Sequence, residues 1–336
     1  MKTDQIELAH GSGGRLTHEL IERLFKKCFS NAYLDLLEDA AVLPEQGGRI
    51  ALTTDSYVVR PIFFPGGDIG KLAICGTVND LSMVGAKPLY ITAGYILEEG
   101  LPYLDLEKVV SSMAETADQA GVKVVAGDTK VVERGSADKL FINTAGAGWL
   151  REGINLSPRN VRPGDRILVS GTIGDHGIAI LSQREGLELG SSLQSDCAPL
   201  NGLAQAMLNQ HDEIRVMRDP TRGGLATTLI ELARGSNFGF EIDEESTPVH
   251  ENVRAACELL GLDPFYVANE GKLIVIVSPK EAESLLATMQ SHPYGKGARL
   301  IGRVVESHPK RVALKTILGV TRVMEMLVAE QLPRIC

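Results

Sequence analysis

With 336 residues the chain exceeds what one ordinary hydrophobic core organises, and about two domains of ~150–170 residues are expected. Hydrophobic residues at 44% and charged ones at 23% are those of a soluble globular protein with a sizeable core. A net charge of −9 with no basic run argues against nucleic acid as the main partner, though not against a nucleotide, since Mg²⁺ can bridge acidic side chains to phosphates.

No apolar run approaches the ~18 residues a membrane helix needs, and the start MKTDQIELAHGSGG lacks the apolar stretch of a signal peptide. A cytoplasmic location without membrane contact is the expectation. Five cysteines, Cys28, Cys75, Cys197, Cys257 and Cys336, are odd in number, widely spaced and never in CxxC, so neither a disulfide framework nor a zinc site is indicated.

Along the chain, Leu16, Leu20, Ile21, Leu24, Phe25 and Cys28 recur at helical spacing and predict a helix over 15–29. RIALTTD reads as a strand whose end delivers Asp55, and IGKLAICGTVNDLSMVGA as a helix closing at Gly85. A strand (LYITAGYIL), a helix from about Leu106 to Ala120 closed by Gly121, a strand (VKVVA) running into GDTK, and a strand (KLFINTAGAGW) complete a first α/β unit, 1–155. LSPRNVRPGD carries two prolines and a turn signal and reads as a connector. The pattern then restarts over 156–310 with strand RILVSG, loop TIGDHG, helices, a helix from about Gly223, strand FGFEID, helix VRAACELL, strand KLIVIVS, helix KEAESLLATM and strand ARLIGRVV. Residues 311–336 read as a tail, mostly ordered and mobile at its end, that finishes in LPRIC.

The usual nucleotide loops are absent. A P-loop at GGDIGKLA would need glycine where Pro65 stands and Ser or Thr where Leu72 stands, and a dinucleotide fingerprint at HGSGGRL would need glycine in place of Leu16. The chemistry-bearing residues that are left are acidic: Asp55, Asp80, Asp128 and Asp219, each beside a glycine, a turn or a strand end. Asp55 and Asp128 are expected at carboxyl ends of strands, where open α/β folds gather ligands and carboxylates can hold Mg²⁺, with Lys71 or Lys130 offsetting phosphate charge. A helix starting near Gly223 offers N–H groups to an anion. His10, His176 and Glu270 are further candidates, and no Ser/His/Asp order or metal-type His/Cys cluster is visible. A thiol near a chain end can travel: residues 332–336, extended, span at most ~17 Å at ~3.3–3.6 Å per residue, enough to cross from a surface into a pocket.

Taken together, LAHGSGGR, ALTTDSYVV, FFPGGDIGKLAICGTVNDLSMVGAKP, GYILEEGLP, VAGDTKVVERG, VSGTIGDHGIAIL, DPTRGGLATTL, LLGLDP, ANEGKL and PRIC resemble the HypE family of hydrogenase maturation factors nearly end to end. That family belongs to the superfamily of aminoimidazole ribonucleotide synthetase and selenophosphate synthetase, which binds ATP without a P-loop. The resemblance implies a PurM-like α/β (α+β) fold, with an amino-terminal domain whose small sheet pairs across a homodimer, a carboxyl-terminal domain closing over the nucleotide, and a mobile tail. It implies an ATP-dependent carbamoyl dehydratase. HypF would pass a carbamoyl group to Cys336, ATP would dehydrate the thiocarboxamide to a thiocyanate, and the HypC–HypD complex would receive the cyanide for the iron of [NiFe]-hydrogenase. Carried over residue by residue, it implies catalytic roles for Cys336, Lys130 and Glu270, nucleotide contacts at Asp55, Lys71, Asn79, Asp80, Asp128 and Asp219, and Mg²⁺ ligands among Asp55, Asp80 and Asp128. Two alternatives stand beside it: a carrier in which ATP only fixes a closed shape, and a selenophosphate synthetase, which would be expected to carry a cysteine or selenocysteine where HGSGGR has none.

Overall fold

The computed structural model describes residues 5–12, 15–36, 41, 43–44, 47–186, 193–327, 332 and 334–336; Gly13 and Gly14 of the glycine-rich start and Pro333 of LPRIC lie outside the described residues. In the amino-terminal half, four strands form a sheet in the order Arg49–Tyr57, Leu140–Leu150, Lys87–Glu98, Lys123–Val132. The first three pair antiparallel and the last joins parallel to Lys87–Glu98. Alternation decides the faces. In Arg49–Tyr57 the odd-numbered positions from Ala51 to Tyr57 turn toward the helix Ile69–Met83, while Ile50, Leu52, Thr54 and Ser56 stay exposed. Ile69–Met83 is apolar nearly all round because it is covered on nearly all sides, and Asp68 caps its start by accepting from the N–H groups of Gly70 and Lys71. The helix Tyr103–Ala120 packs beside it and stops where Gly121 takes a left-handed conformation, φ 69°.

The expected helix over 15–29 is present, with a widened turn over Ile21–Phe25 in its middle. Two expectations change. Residues 127–132 continue the strand Lys123–Val132, so Asp128 lies mid-strand, and the strand bearing Asp55 runs on to Tyr57. Neither aspartate marks a strand terminus, and both sheets are largely antiparallel, so the argument from strand ends in open parallel sheets does not apply.

In the carboxyl-terminal half, seven strands run in the order Thr321–Met324, Val312–Lys315, Gly239–Asp243, Arg299–Val305, Arg166–Val169, Ile274–Val277, Ile214–Arg218. The hairpin over 312–324, read from sequence as part of a tail, belongs to this sheet: Val312–Lys315 pairs parallel with Gly239–Asp243. A tail beginning at 311 is therefore too long by that hairpin. One hydrophobic core joins the halves, since Ile178, Ala179, Leu193, Cys197, Val253 and Val267 pack with the apolar faces of Ile69–Met83 and Tyr103–Ala120. Among the described residues no helix is long and apolar enough to cross a membrane.

Candidate active site

The segment ending at Cys336 is docked in the seam between the halves. The N–H of Val58 donates to the Cys336 carbonyl (3.3 Å) and that of Arg60 to the Arg334 carbonyl (3.1 Å), so the segment runs antiparallel to the chain that follows strand Arg49–Tyr57. From the other side, Arg184 Nη2 donates to the Arg334 carbonyl (2.8 Å) and His176 Nε2 to the Ile335 carbonyl (2.7 Å). Leu332 and Ile335 are buried in the shared core, and Cys336 packs against it. Arg334 takes a left-handed conformation, φ 56°, and aims its guanidinium at Asp138 (2.9 Å) over the ring of Phe141. The carbonyls of residues 334–336 thus each accept a hydrogen bond, which fixes how far the segment reaches inward.

Beside Val58 lies Tyr57, fully buried, and its hydroxyl finds no hydrogen-bond partner among the described residues. Glycine is required at 76 because a Cβ there would stand 2.2 Å from that hydroxyl. Around Tyr57 gather carboxyls that feel one another. Burial, and then Asp55, push the Tyr57 phenol well above its usual value. Asp80 accepts from Thr53 (2.8 Å) and is raised by burial and by Asp55. Asp219, in the loop after strand Ile214–Arg218, is pushed up to about 7 by burial and by Asp80 and Asp55. Glu270 is pushed well above the carboxylate range by burial first and then by Cys197, Asp219, Asp196 and Asp55, and its Oε1 is buried with no partner among the described residues. Carboxyls with raised pKa values that repel one another mark a site built to meet positive charge or to move protons.

Not all the expected residues meet there. Asp128 pairs in register with Gly94, Gly94 with Asn143, and Asn143 with Ser56, so Asp128 faces the same side of the sheet as Ser56, opposite to Asp55 and three strands away. Within one chain it cannot share a cation with Asp55 and Asp80. Lys130 stands on that same outer face, bonded to Asp128 (3.0 Å), which it holds below the usual carboxylate range; it does not meet Glu270 within the chain. Lys71 donates to the Gly66 carbonyl (2.9 Å) and lies toward Cys197. Asn79 is consumed as a bracket: its amide donates to the carbonyls of Ala198 (3.1 Å) and Glu270 (3.4 Å), and its oxygen accepts from Leu200 N–H (2.8 Å). His10 is buried, with Nδ1 accepting from the Glu7 N–H (3.0 Å). Among the described residues no group of three or more His, Cys, Asp or Glu side chains stands close enough to hold a metal ion.

Residues 37–150 match the family model "AIR synthase related protein, N-terminal domain" and residues 162–315 match "AIR synthase related protein, C-terminal domain". The chain is 53% identical to carbamoyl dehydratase HypE of Azotobacter vinelandii over 336 residues, covering 100% of this chain and 98% of the relative. The chain belongs to the HypE family. A crystal structure of the hydrogenase maturation protein HypE in complex with ATP superposes with a TM-score of 0.95 at 50% identity, covering 98% of this chain and 99% of that one. A HypE–HypF complex contains a chain that matches with a TM-score of 0.81 at 54% identity, covering 92% of this chain and 99% of that one.

Sequence reading of this HypE-family chain missed the groups that hold Glu270 and the docked segment. Asp196 is one. Burial works to raise its carboxyl, but the Lys272 ammonium facing it and the N–H of Glu270 outweigh that and hold it below the usual range. It accepts from Lys272 Nζ (3.1 Å) and from the N–H groups of Glu270 (3.1 Å) and Gly271 (3.3 Å). A Cβ on Gly271 would stand 1.7 Å from the Asp196 carbonyl, so glycine is required there. The ANEGK glycine was the available signal, because an inserted glycine at the edge of a strand marks a close backbone approach.

Proposed function

We propose that the chain dehydrates an S-carboxamide carried on Cys336 to a thiocyanate at the expense of ATP, and so supplies the cyanide ligand of a hydrogenase iron. The observation that carries this reading is the docked segment, whose Cys336 carbonyl is bonded to the residue next to Tyr57, at the edge of the cluster formed by Asp55, Asp80, Asp219 and Glu270. ATP binding is supported by the likeness to the ATP-bound relative. Hydroxide leaves an amide carbon poorly, so the amide oxygen first attacks the γ-phosphorus and ADP departs. The nitrogen then loses its protons, the C–O bond breaks, and phosphate leaves carrying that oxygen. Glu270 is our candidate proton acceptor, because its buried Oε1 has no partner among the described residues and burial makes its carboxylate hold a proton more tightly than an exposed one. A seam closed over the nucleotide would exclude water and protect the nitrile from hydrolysis.

Asp80 and Asp219 fit a divalent cation in kind, since burial and the neighbouring Asp55 raise both in the way a cation would relieve. Mg²⁺ held by Asp55 and Asp80 would neutralise phosphate charge when bound. Lys71 is proposed for the phosphates. Asn79 serves by holding the loops over 196–200 and 268–272 against the helix Ile69–Met83 rather than by touching nucleotide. We assign Asp128 and Lys130 to a site shared between two copies, with the outer sheet face as the dimer surface: Ile50 is 56%, Leu52 72% and Ile96 45% exposed on it. HypF is the proposed carbamoyl donor, supported by the HypE–HypF complex of a relative, and HypC–HypD the proposed acceptor. Five thiols and no disulfide suit the reducing cytoplasm.

The test is the mass of the terminal peptide after incubation with HypF, carbamoyl phosphate and ATP, and then with further Mg-ATP. Gain of one carbamoyl group on Cys336 followed by loss of one water is expected. A carbamoyl group that never loses water would favour a carrier, and an unmodified Cys336 beside active HypF would overturn the assignment.

A further inference from the structure

We propose that His176, oriented by Ser195, is the positioning residue that sets the docked register of the Cys336 segment; the proposal deepens the dehydratase reading and rests on it for its catalytic consequence. The docking bonds from Val58 and Arg60 are main-chain bonds that the strand supplies whatever its side chains, and Arg184 reaches in from a half-exposed position that also serves the Arg60 carbonyl. His176 differs. It is fully buried, and Nε2 donates to the Ile335 carbonyl at 2.7 Å, inside the shared core. Burial pushes its imidazole below the usual value, against the pull of the Asp196 carboxylate, so the ring is neutral and one nitrogen must lack a proton.

The Ile335 carbonyl decides which nitrogen that is: it can only accept, so the proton sits on Nε2 and Nδ1 accepts from the Ser195 hydroxyl (2.8 Å), whose Oγ in turn accepts from the Cys197 N–H (3.1 Å). Ser195 is itself tied across the seam, its N–H donating to the Pro65 carbonyl (2.8 Å), and the edge of the ring packs on Phe64 with centroids 5.6 Å apart. The imidazole reads a backbone carbonyl and not a side chain, so it holds the segment equally before and after Cys336 is modified. It also sets the distance by which Cys336 passes Val58, one residue beyond. Loss of the donor leaves a buried carbonyl unsatisfied and shifts the segment toward its undocked state.

The experiment follows Cys336 in the full-length protein with Mg-ATP, by the rate at which a maleimide–polyethylene glycol adds to the terminal peptide. His176→Phe, which fills the space without a donor, is expected to raise that rate by at least about tenfold, and His176→Gln, which keeps an N–H donor, to return it to within about threefold of the parent. Equal rates for the parent and His176→Phe, or no difference between Phe and Gln, would overturn the proposal. Should His176→Phe fail to fold, Ser195→Ala keeps the imidazole and removes the bond that orients it; faster addition is again expected, and an unchanged rate overturns the assignment. Alkylation needs no dehydration, so a failure here is separate from a failure of the dehydratase reading. With carbamoylated protein, His176→Phe is expected to slow water loss by a similar factor while carbamoylation proceeds at the parental rate or faster. Equal slowing of both steps would mark a merely structural role and count against positioning.

Discussion

Glu270 owes its chemistry to its surroundings. Its backbone is pinned by Asp196, its Oε1 has no partner among the described residues, and its carboxyl is buried among groups that repel its charge. Removing that carboxyl while keeping its shape should separate the two halves of the reaction. For Glu270→Gln we expect water loss to fall by about 10²–10⁴-fold, with carbamoylated Cys336 accumulating on a mass spectrum and ATP binding retained. Unimpaired dehydration would remove Glu270 from the chemistry. Asp219 makes a stability prediction. Its folded value of about 7 lies above the ~3.9 of an unfolded aspartate, so between those values the folded protein binds the extra proton. Its contribution is fully present below about pH 4 and is lost as pH rises through 7. In chelator, melting temperature should therefore fall as pH rises from about 4 to 7, and Asp219→Asn should flatten that slope. An unchanged slope in the variant would show that another group governs it. None of this was legible from DPTRGG, which names an aspartate in a turn but not the two carboxyls that face it.

At the scale of elements, the helices were the legible part. The helix closing near Gly85 and the one closed by Gly121 fall where periodicity and glycine predict them, because both stops require the left-handed backbone that glycine tolerates. The hairpin over 312–324 was hidden, since its outer positions Ile317, Leu318, Val320 and Val323 are exposed apolar residues and blur the alternation that marks a strand. Alternation within a strand could have been counted, but that Asp55 and Asp128 lie three strands apart depends on the order of the sheet, which no local pattern encodes. The terminal block was legible as a motif, and its docking was not, because three of its contacts come from Val58, His176 and Arg184, far away in sequence. Asn79 shows how an element can matter through its far side. It joins the helix Ile69–Met83 to both loops that carry Asp196 and Glu270. Asn79→Ala strips three bonds from a buried seam and should cost about 2–4 kcal/mol in chemical denaturation. A loss below about 0.5 kcal/mol would mean that the seam is held elsewhere.

At the scale of the whole molecule, the outer face of the four-stranded sheet presents Ile50, Leu52 and Ile96 beside Asp128 and Lys130. A second copy laid on that face would bury the apolar residues and bring its own Asp128 and Lys130 into the same interface. Leu52→Glu places a charge in the middle of the face and should convert a dimer to monomers in sedimentation while leaving the monomer folded. A dimer that survives it uses another surface. The docked segment, the raised carboxyls and the family all point to one transformation, in which the oxygen of a carboxamide on Cys336 departs as phosphate. Its most direct test is to load Cys336 with an ¹⁸O-labelled carbamoyl group, add Mg-ATP for a single turnover, and read the inorganic phosphate by mass. The label is predicted to appear in phosphate in step with formation of the thiocyanate. Unlabelled phosphate alongside labelled water would contradict the account and place the loss of oxygen outside the ATP step.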